Sequence, residues 1–224
     1  FQQLYLPGGK PLPAGRLFRN PALARTLETL AQQGGRAFYE GPLAQRIQRG
    51  VNALKVQAPA FKGWTATDLA SYAVVRRAPL CRVEMKHRVC TVPPPSSGGL
   101  AVLQTLALLD ATGGFNAPSN PQSWRHLALA ESWADADRLY WVHDPIDGPI
   151  PTEGLLDPAY IRARVQAMQT SPTRLPQPGL PPGMKRFPFG RPGPGPELGT
   201  SHVTIVDALD NLASYTTTVE PVFG

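Results

Sequence analysis

The residue with the clearest chemical potential in the chain is Thr200. It follows a proline- and glycine-rich stretch, residues 171–199, and leads directly into a run of β-forming residues. If the bond between Gly199 and Thr200 were cut, Thr200 would gain a free α-amino group that can act as the base toward its own hydroxyl. The arrangement suggests a cleavable junction and a self-cleaving protein with an N-terminal threonine nucleophile. On this pattern alone, the favoured interpretation is still an ordinary threonine at the point where a surface loop enters a hairpin.

Cysteine chemistry is limited to one pair, Cys81 and Cys90. The two cysteines flank residues 82–89, a stretch typical of two short strands around a turn, and a hairpin would place them opposite one another. A disulfide and two free thiols both fit this spacing, whereas a catalytic thiol is not favoured. With His87 as the one further ligand on this segment, the residues do not make up a zinc site.

Two serines and a histidine are better explained by structural roles. Ser96 and Ser97 precede a predicted helix without the strand, elbow and helix of a serine hydrolase, so we interpret them as helix caps. His202 is two residues along a strand from Thr200, and its side chain is expected on the same side. We favour a packing role for His202, because the threonine amine already supplies a base.

The charge distribution argues against a nucleic-acid-binding protein. The chain has 22 Lys and Arg against 16 Asp and Glu, a net charge of +6. The basic excess is concentrated in residues 46–88 and is opposed by an acidic excess in residues 110–157, where Asp135 and Asp137 adjoin Arg138 and predict an ion pair. Neither zinc-finger spacing, an RNA-binding aromatic strand nor a glycine-rich phosphate loop accompanies the basic residues.

The hydrophobic pattern predicts a scaffold of helices to position Thr200. The first helix is capped by Asn20 and Pro21, is closed by Gly34 and Gly35, and shows a helical spacing of apolar residues that predicts a buried face of Leu23, Leu27, Leu30 and Ala31. Further helices are predicted over residues 42–51, after a capping box of Thr65 and Asp68, from near Gly98 through the apolar run 100–109, and over residues 123–142.

Strands are predicted at two places, with a linker before the second. Residues 79–92 form the first strand region, and a hairpin around a turn at Asp210 and Asn211 forms the second. Residues 171–199 are predicted to be an exposed, extended linker, because their prolines and glycines come with few apolar anchors. At 224 residues and 42% hydrophobic, the chain is long and apolar enough to fold. Because it opens on Phe1 and ends soon after a strand, we expect it to be a piece of a longer protein.

Several motifs resemble, in order and over nearly the whole chain, one known family. The most specific match is in residues 200–224. The residues that match there are Thr200 to His202, Asp207, Asn211, the run 214–220, Phe223 and Gly224. Residues 93–99 carry a proline-serine-glycine signature. Weaker matches are Thr26-Leu27, Phe38-Tyr39, Gly41, Glu131, Ala136-Asp137-Arg138 and Asp144-Pro145. Together these motifs are similar to the γ-glutamyltranspeptidases.

This resemblance implies an α+β fold of the N-terminal nucleophile hydrolase type, an αββα sandwich of two sheets between helices. Residues 1–170 would be the later part of a large subunit, residues 171–199 the linker before the cleavage site, and residues 200–224 the first hairpin of a small subunit. The resemblance also implies a precursor that cuts itself between Gly199 and Thr200. Because the family's anchoring arginine and oxyanion glycines would lie outside these residues, we expect the chain alone to be inactive.

The activity implied is γ-glutamyl transfer from, or hydrolysis of, glutathione and related γ-glutamyl amides through a threonyl acyl-enzyme. Water, an amino acid or a peptide would be the acceptor, and neither a metal nor an organic cofactor is needed. The partners implied are the remainder of the protein's own two subunits, with no nucleic acid and no membrane span, and the location implied is periplasmic or secreted. The alternatives are a related acylase of the cephalosporin or glutaryl type and a non-catalytic fragment or homologue.

Two further site residues follow from the same resemblance. Thr218 matches the threonine whose hydroxyl hydrogen-bonds the nucleophile, although a β-branched residue can equally fill a strand. Glu220 matches the position that accepts a hydrogen bond from the substrate's α-ammonium group, where a carboxylate suits a cation. The alternative for Glu220 is a solvated glutamate at the end of a strand.

Overall fold

The computed structural model describes residues 2–53, 62–145, 148–170, 175–186 and 200–218, and the chain divides into two compact units, Phe1–Arg76 and Arg77–Gly224. The first unit is helical where it is described. Its elements are α1 (Gln2–Tyr5), a 3₁₀ turn (Pro7–Gly9), α2 (Pro21–Gln33), α3 (Arg36–Tyr39), α4 (Gly41–Ala53) and α5 (Ala66–Ala70).

Helix α2 begins and ends where its sequence predicts. The Asn20 side chain accepts a hydrogen bond from the Leu23 N–H at 3.0 Å, Pro21 occupies the first helical position, and Gly34 follows the last turn with φ of 78°. The predicted burial of its apolar face is wrong for this structure, because Leu23 and Leu27 are 50% and 56% exposed. Helical spacing identifies an apolar face, but burial requires a neighbouring element, and α2 packs mainly on the short helix α3.

The capping box that opens α5 is confirmed. The Thr65 hydroxyl accepts a hydrogen bond from the Asp68 N–H at 3.3 Å, and the Asp68 carboxylate accepts one from the Thr65 N–H at 2.6 Å. These bonds lower the pKa of Asp68, since they favour its ionised form. Leu69 packs into this unit's small core beside α4, whose Asn52 hydrogen-bonds the backbone of Trp64.

In its described residues, the second unit combines helices with two antiparallel strand pairs. Its elements are β1 (Leu80–Glu84), β2 (His87–Thr91), α6 (Ser97–Ala111), α7 (Pro121–Trp141), α8 (Thr152–Leu155), α9 (Pro158–Thr170), β3 (Thr200–Val206) and β4 (Leu212–Thr218). β1 pairs with β2, and β3 pairs with β4. Helix α9 was not predicted, although Asp157 and Pro158 are a typical helix start; the Asp157 carboxylate accepts bonds from the N–H groups of Ala159 and Tyr160.

The core of this unit surrounds α6, whose apolar sequence predicts burial on most sides. Helices α7 and α9 and strand β1 all pack against α6. The first turn of α6 approaches β2 so closely that a Cβ on Gly99 would overlap the carbonyl oxygen of Val92 and the side chain of Thr91. Glycine at this position therefore permits the contact between helix and strand. Among the described residues the core contains two clusters. The first is Ala107, Leu108, Leu109, Ala130, Trp133, Ala134, Ile161, Val165 and Met168, and the second is Leu100, Leu103, Trp141, Leu155, Leu156 and Tyr160.

The β1–β2 hairpin resolves the choice between a disulfide and free thiols. Cys81 and Cys90 are direct partners in the register and are joined by a disulfide, with their Cα atoms 4.1 Å apart. Met85 and Lys86 form the turn, both with positive φ. Arg82 ties the hairpin to the rest of the unit, since its guanidinium donates to the Leu156 carbonyl oxygen at 2.9 Å.

Candidate functional site

Thr200 and Thr218 lie opposite each other across the β3–β4 hairpin. Thr200 is the first residue of β3, Thr218 is the last residue of β4, and the two are partners in the antiparallel register. Directly opposed residues in such a pair have Cβ atoms about 4.5 to 5.5 Å apart, so their side chains are neighbours on one face. The structure thus brings two of the predicted site residues together. The other two, Gly199 and Glu220, lie outside the described residues.

Asp207 fixes the turn that sets this register. Its Oδ1 accepts hydrogen bonds from the N–H groups of Leu209 and Asn211 at 2.8 and 2.9 Å, and its Oδ2 accepts one from Asn211 Nδ2 at 2.9 Å. The bonds from Asn211 and Leu209 lower the pKa of Asp207. Asp210 takes up a positive φ of 60° within the turn, in agreement with the predicted turn at Asp210 and Asn211.

The two faces of the hairpin differ in chemistry. Side chains alternate along a strand, so the face that holds Thr200 and Thr218 is shared by their second neighbours. That face is polar from the Thr200 and Thr218 pair as far as Thr204 and Ser214, and it ends in the apolar pair Val206 and Leu212 next to the turn. The opposite face carries most of the apolar residues, and all residues of both strands are exposed in this chain. We call the first face the polar face: it holds Thr200, His202, Thr204, Ser214, Thr216 and Thr218, with Val206 and Leu212 next to the turn, and the other face holds Ser201, Val203, Ile205, Ala213, Tyr215 and Thr217.

The imidazole of His202 is held by hydroxyl groups on the polar face. Its Nδ1 lies 2.7 Å from Thr216 Oγ1, and its Nε2 lies 3.0 Å from Thr204 Oγ1 and 3.3 Å from Ser214 Oγ. The side chain is exposed rather than buried among apolar neighbours. These polar contacts differ from the packing role favoured on sequence grounds. The sequence feature that could have predicted them is strand alternation, which places His202 on the same face as Thr200.

A second polar arrangement lies in the core, around the fully buried carboxylate of Asp137. Its Oδ2 accepts hydrogen bonds from Gln104 Nε2 at 2.7 Å and from the Tyr160 hydroxyl at 2.8 Å. Its Oδ1 accepts the N–H of Gly179 at 2.7 Å and lies 3.1 Å from Arg164 Nη2. We call these five residues the Asp137 cluster. Burial raises the pKa of Asp137, against the opposing effect of Arg164 and the other donors.

Arg164 links the Asp137 cluster to the segment that precedes the predicted cleavage site. Its guanidinium donates to the carbonyl oxygens of Gln177 and Trp133, at 2.9 and 3.1 Å, and lies over the Trp133 ring. Burial is the main cause of a raised pKa at Tyr160, and the nearby Asp137 charge adds to it, so the Tyr160 hydroxyl remains a neutral donor to Asp137.

Residues 175–186 of the predicted linker are docked at Gly179 and Pro181, although most of their side chains are exposed or half-buried. Gly179 is held from both sides, because its N–H donates to Asp137 and its carbonyl oxygen accepts from Trp141 Nε1 at 3.1 Å. A Cβ on Gly179 would overlap the Tyr160 hydroxyl, and Pro181 is fully buried. A segment without regular secondary structure can still dock through its backbone groups, which composition does not reveal. The rest of the predicted linker, residues 171–174 and 187–199, lies outside the described residues.

The pairing predicted for Arg138 is confirmed for one of the two acids. Arg138 Nε lies 2.7 Å from Asp135 Oδ1, while Asp137 faces Arg164. Arg138 also donates to the Ser97 hydroxyl at 3.2 Å, which joins α7 to the start of α6. The capping interpretation of the serines is wrong for their side chains, because Ser96 occupies the N-cap without a side-chain capping bond and Ser97 is within the helix.

Other classes of site find little support in the described ranges. Both cysteines are in the disulfide. Among the described residues no group of three or more His, Cys, Asp or Glu side chains is arranged to hold a metal ion. None of the helices in these ranges combines the length and apolar character required to cross a bilayer.

Comparison with known proteins gives a match over the whole chain. The family model described as Gamma-glutamyltranspeptidase matches residues 1–224. The glutathione hydrolase proenzyme of Bacillus subtilis subsp. natto is 32% identical over 234 residues, which cover 100% of this chain and 38% of that protein. The chain thus spans well under half the length of this curated relative.

Solved structures show the same fold. A γ-glutamyltranspeptidase from Helicobacter pylori superposes with a TM-score of 0.63 at 24% identity, covering 82% of this chain and 50% of that one. A cephalosporin acylase from Bacillus halodurans superposes with a TM-score of 0.70 at 25% identity, covering 80% of this chain and 32% of that one. These neighbours, together with the mixture of helices and strands, confirm the predicted α+β class of the N-terminal nucleophile hydrolase type.

Proposed function

This chain belongs to the γ-glutamyltranspeptidase family, and we propose on that premise that the protein containing it transfers γ-glutamyl groups from, or hydrolyses, glutathione and related amides. The observation that carries the proposal is the position of Thr200. This threonine begins β3 directly opposite Thr218, next to the predicted junction with Gly199. A strand start that carries a hydroxyl on a polar face is suited to become the N-terminus of a separate subunit.

Maturation would use the hydroxyl of Thr200 before the amine is free. The Thr200 Oγ attacks the carbonyl carbon of Gly199, a C–O bond forms, and the C–N bond of the peptide breaks while the hydroxyl proton passes to the departing nitrogen. Water then hydrolyses the resulting ester. The products are a carboxylate at Gly199 and a free α-amino group on Thr200, which can now serve as the base.

Turnover would use the same hydroxyl a second time. The α-amino group accepts the Thr200 hydroxyl proton while Oγ attacks the γ-glutamyl carbonyl, and that proton then leaves with the departing amine. Water or an acceptor amine resolves the acyl-enzyme. Thr218 is proposed to hold the nucleophile by a hydrogen bond from the neighbouring strand, which its position in the register supports.

Glu220 is proposed to recognise the donor. It follows Thr218 by two residues in the sequence, and its carboxylate would accept a hydrogen bond from the α-ammonium group that every γ-glutamyl donor carries. A glutaryl donor lacks this group. The contact proposed for Glu220 therefore separates γ-glutamyl chemistry from the acylase alternative. The superposition on a cephalosporin acylase is the observation in favour of that alternative.

The remainder of the large and small subunits is proposed to complete the pocket, because the chain covers only 38% of a matching relative. We place the protein in the periplasm or outside the cell. The Cys81–Cys90 disulfide supports this location, since disulfides form and persist in oxidising compartments.

The deciding experiment uses the full-length proenzyme. Intact mass should show two chains whose masses place the cut between Gly199 and Thr200. The same preparation should release a chromogenic amine from a γ-glutamyl anilide. A single uncut chain without activity would support the non-catalytic alternative, and preference for a glutaryl anilide would support the acylase.

Replacing Glu220 with alanine in the full-length enzyme should lower kcat/KM for γ-glutamyl donors by roughly 10 to 150 fold. A hydrogen bond to a charged group is worth about 1.5 to 3 kcal/mol, and each 1.36 kcal/mol or so corresponds to a factor of ten. Glu220→Asn, which retains an acceptor oxygen, should lose less. The measurement is initial rate against donor concentration.

Glutaryl anilide is the internal control for this substitution, because it has no ammonium group for Glu220 to bind. Its kcat/KM should change little in either variant. Equal losses for the two donors would show that Glu220 supports the strand rather than recognising the substrate.

A further inference from the structure

The row of side chains next to the Thr200 and Thr218 pair is organised around His202. His202 and Thr216 are direct partners in the register, and each is the second neighbour of one of the two threonines. Because side chains two residues apart on a strand share a face, the His202 row adjoins the Thr200 row. The shortest contact of the imidazole is the one to Thr216, at 2.7 Å.

Both nitrogens of this ring are occupied by hydroxyl partners. Nδ1 contacts Thr216, and Nε2 contacts Thr204 and Ser214. A neutral imidazole has one N–H donor and one acceptor nitrogen, and hydroxyl groups can take either role by rotation. These contacts hold the ring at both ends, so neither nitrogen is directed at Thr200 as a base.

From these contacts we infer that His202 is a positioning residue for the Thr200 chemistry, and that it acts through Thr216. The inference rests on the proposed function. The contact from Nδ1 holds the Thr216 hydroxyl in one of its staggered rotamers. Thr216 is the same-face neighbour of Thr218 on β4, so its fixed side chain limits the space into which the Thr218 side chain can turn. The Thr218 hydroxyl is thereby kept toward Thr200 on the opposite strand.

The experiment compares four single variants of the processed full-length enzyme. His202→Ala removes the ring, and Thr216→Val removes only the hydroxyl while retaining a β-branched side chain of similar volume. His202→Asn retains a polar group near the position of Nδ1. Thr217→Val makes the same chemical change as Thr216→Val on the adjacent residue, which faces the other side of the hairpin.

We expect His202→Ala and Thr216→Val to lower kcat by about 10 to 100 fold, since small misplacements of reacting groups can cost about a hundredfold. KM for the γ-glutamyl donor should stay within about twofold, because the inference gives neither side chain a part in donor binding. His202→Asn should recover most of kcat, and Thr217→Val should match the wild type. The double variant of His202→Ala with Thr216→Val should lose no more than either single variant, because the two act as one unit.

Full kcat in Thr216→Val would overturn the inference, and so would additive losses in the double variant. A merely structural role would lower the midpoint of thermal unfolding of Thr216→Val and Thr217→Val alike and leave kcat per processed molecule unchanged. If His202→Ala fails to mature, Thr216→Val and its Thr217→Val control still decide the question. The wild type separates the two proposals: an uncut, inactive wild type contradicts the proposed function, while an active wild type with unaffected variants contradicts only the role of His202.

Discussion

Thr200→Ala in the full-length proenzyme is expected to yield one uncut chain without measurable γ-glutamyl turnover. Alanine lacks the hydroxyl that attacks the Gly199 carbonyl, so the subunit junction stays intact. The same hydroxyl is the nucleophile of turnover, and loss of the nucleophile in a covalent hydrolase lowers kcat by as much as about 10⁶-fold. Intact mass and amine release from a γ-glutamyl anilide measure the two losses separately.

Thr200→Ser is the matched control, because it keeps a hydroxyl at the first position of β3. This variant should still cleave itself and should retain part of the turnover. Normal cleavage in Thr200→Ala, or a wild-type cut at any other bond, would contradict the assignment of Thr200. A cooperative thermal transition shows that an uncut variant is folded, so the melting curves of both variants should be recorded.

The second large effect is expected at Asp137. Its carboxylate accepts hydrogen bonds from Gln104, Tyr160 and Gly179 and forms an ion pair with Arg164. Asp137→Ala should lower the free energy of unfolding by about 3 to 5 kcal/mol, because it leaves the Arg164 charge buried without its partner. Urea denaturation of the full-length protein, followed by tryptophan fluorescence, measures this loss. Trp133 and Trp141 lie beside the Asp137 cluster and contribute to this signal, together with Trp64 and Trp124 elsewhere in the chain.

Asp135→Ala provides a matched control two residues earlier on the same helix. Asp135 pairs with Arg138, but its side chain is 49% exposed, and exposed ion pairs contribute about 0 to 1 kcal/mol. The double variant of Asp137→Ala with Arg164→Met should recover part of the loss, since the stranded charge is then absent. Equal losses at Asp135 and Asp137 would contradict the central position of the Asp137 cluster.

The sequence by itself determined the interactions between residues that are close together along the chain. Three features depend on partners no more than about four residues apart: the caps of α2, the capping box of α5 and the turn held by Asp207. Neighbouring residues in the sequence are therefore enough to predict their hydrogen bonds. The same holds for the β3–β4 hairpin, whose turn fixes the register and hence the position of Thr200 opposite Thr218. The resemblance to the family is also a property of the sequence, and the match over residues 1–224 confirmed the family.

Contacts between distant residues were decided by the tertiary structure alone. Sequence adjacency favoured Arg138 as the partner of Asp137, but the packing of α7 against α9 offers Arg164 instead. The segment 175–186 has the composition of a linker, yet it is docked because the buried Asp137 carboxylate requires donors and the Gly179 N–H supplies one. Burial of a charged group is costly unless it is fully hydrogen-bonded, and which groups can satisfy it depends on elements that meet only after folding.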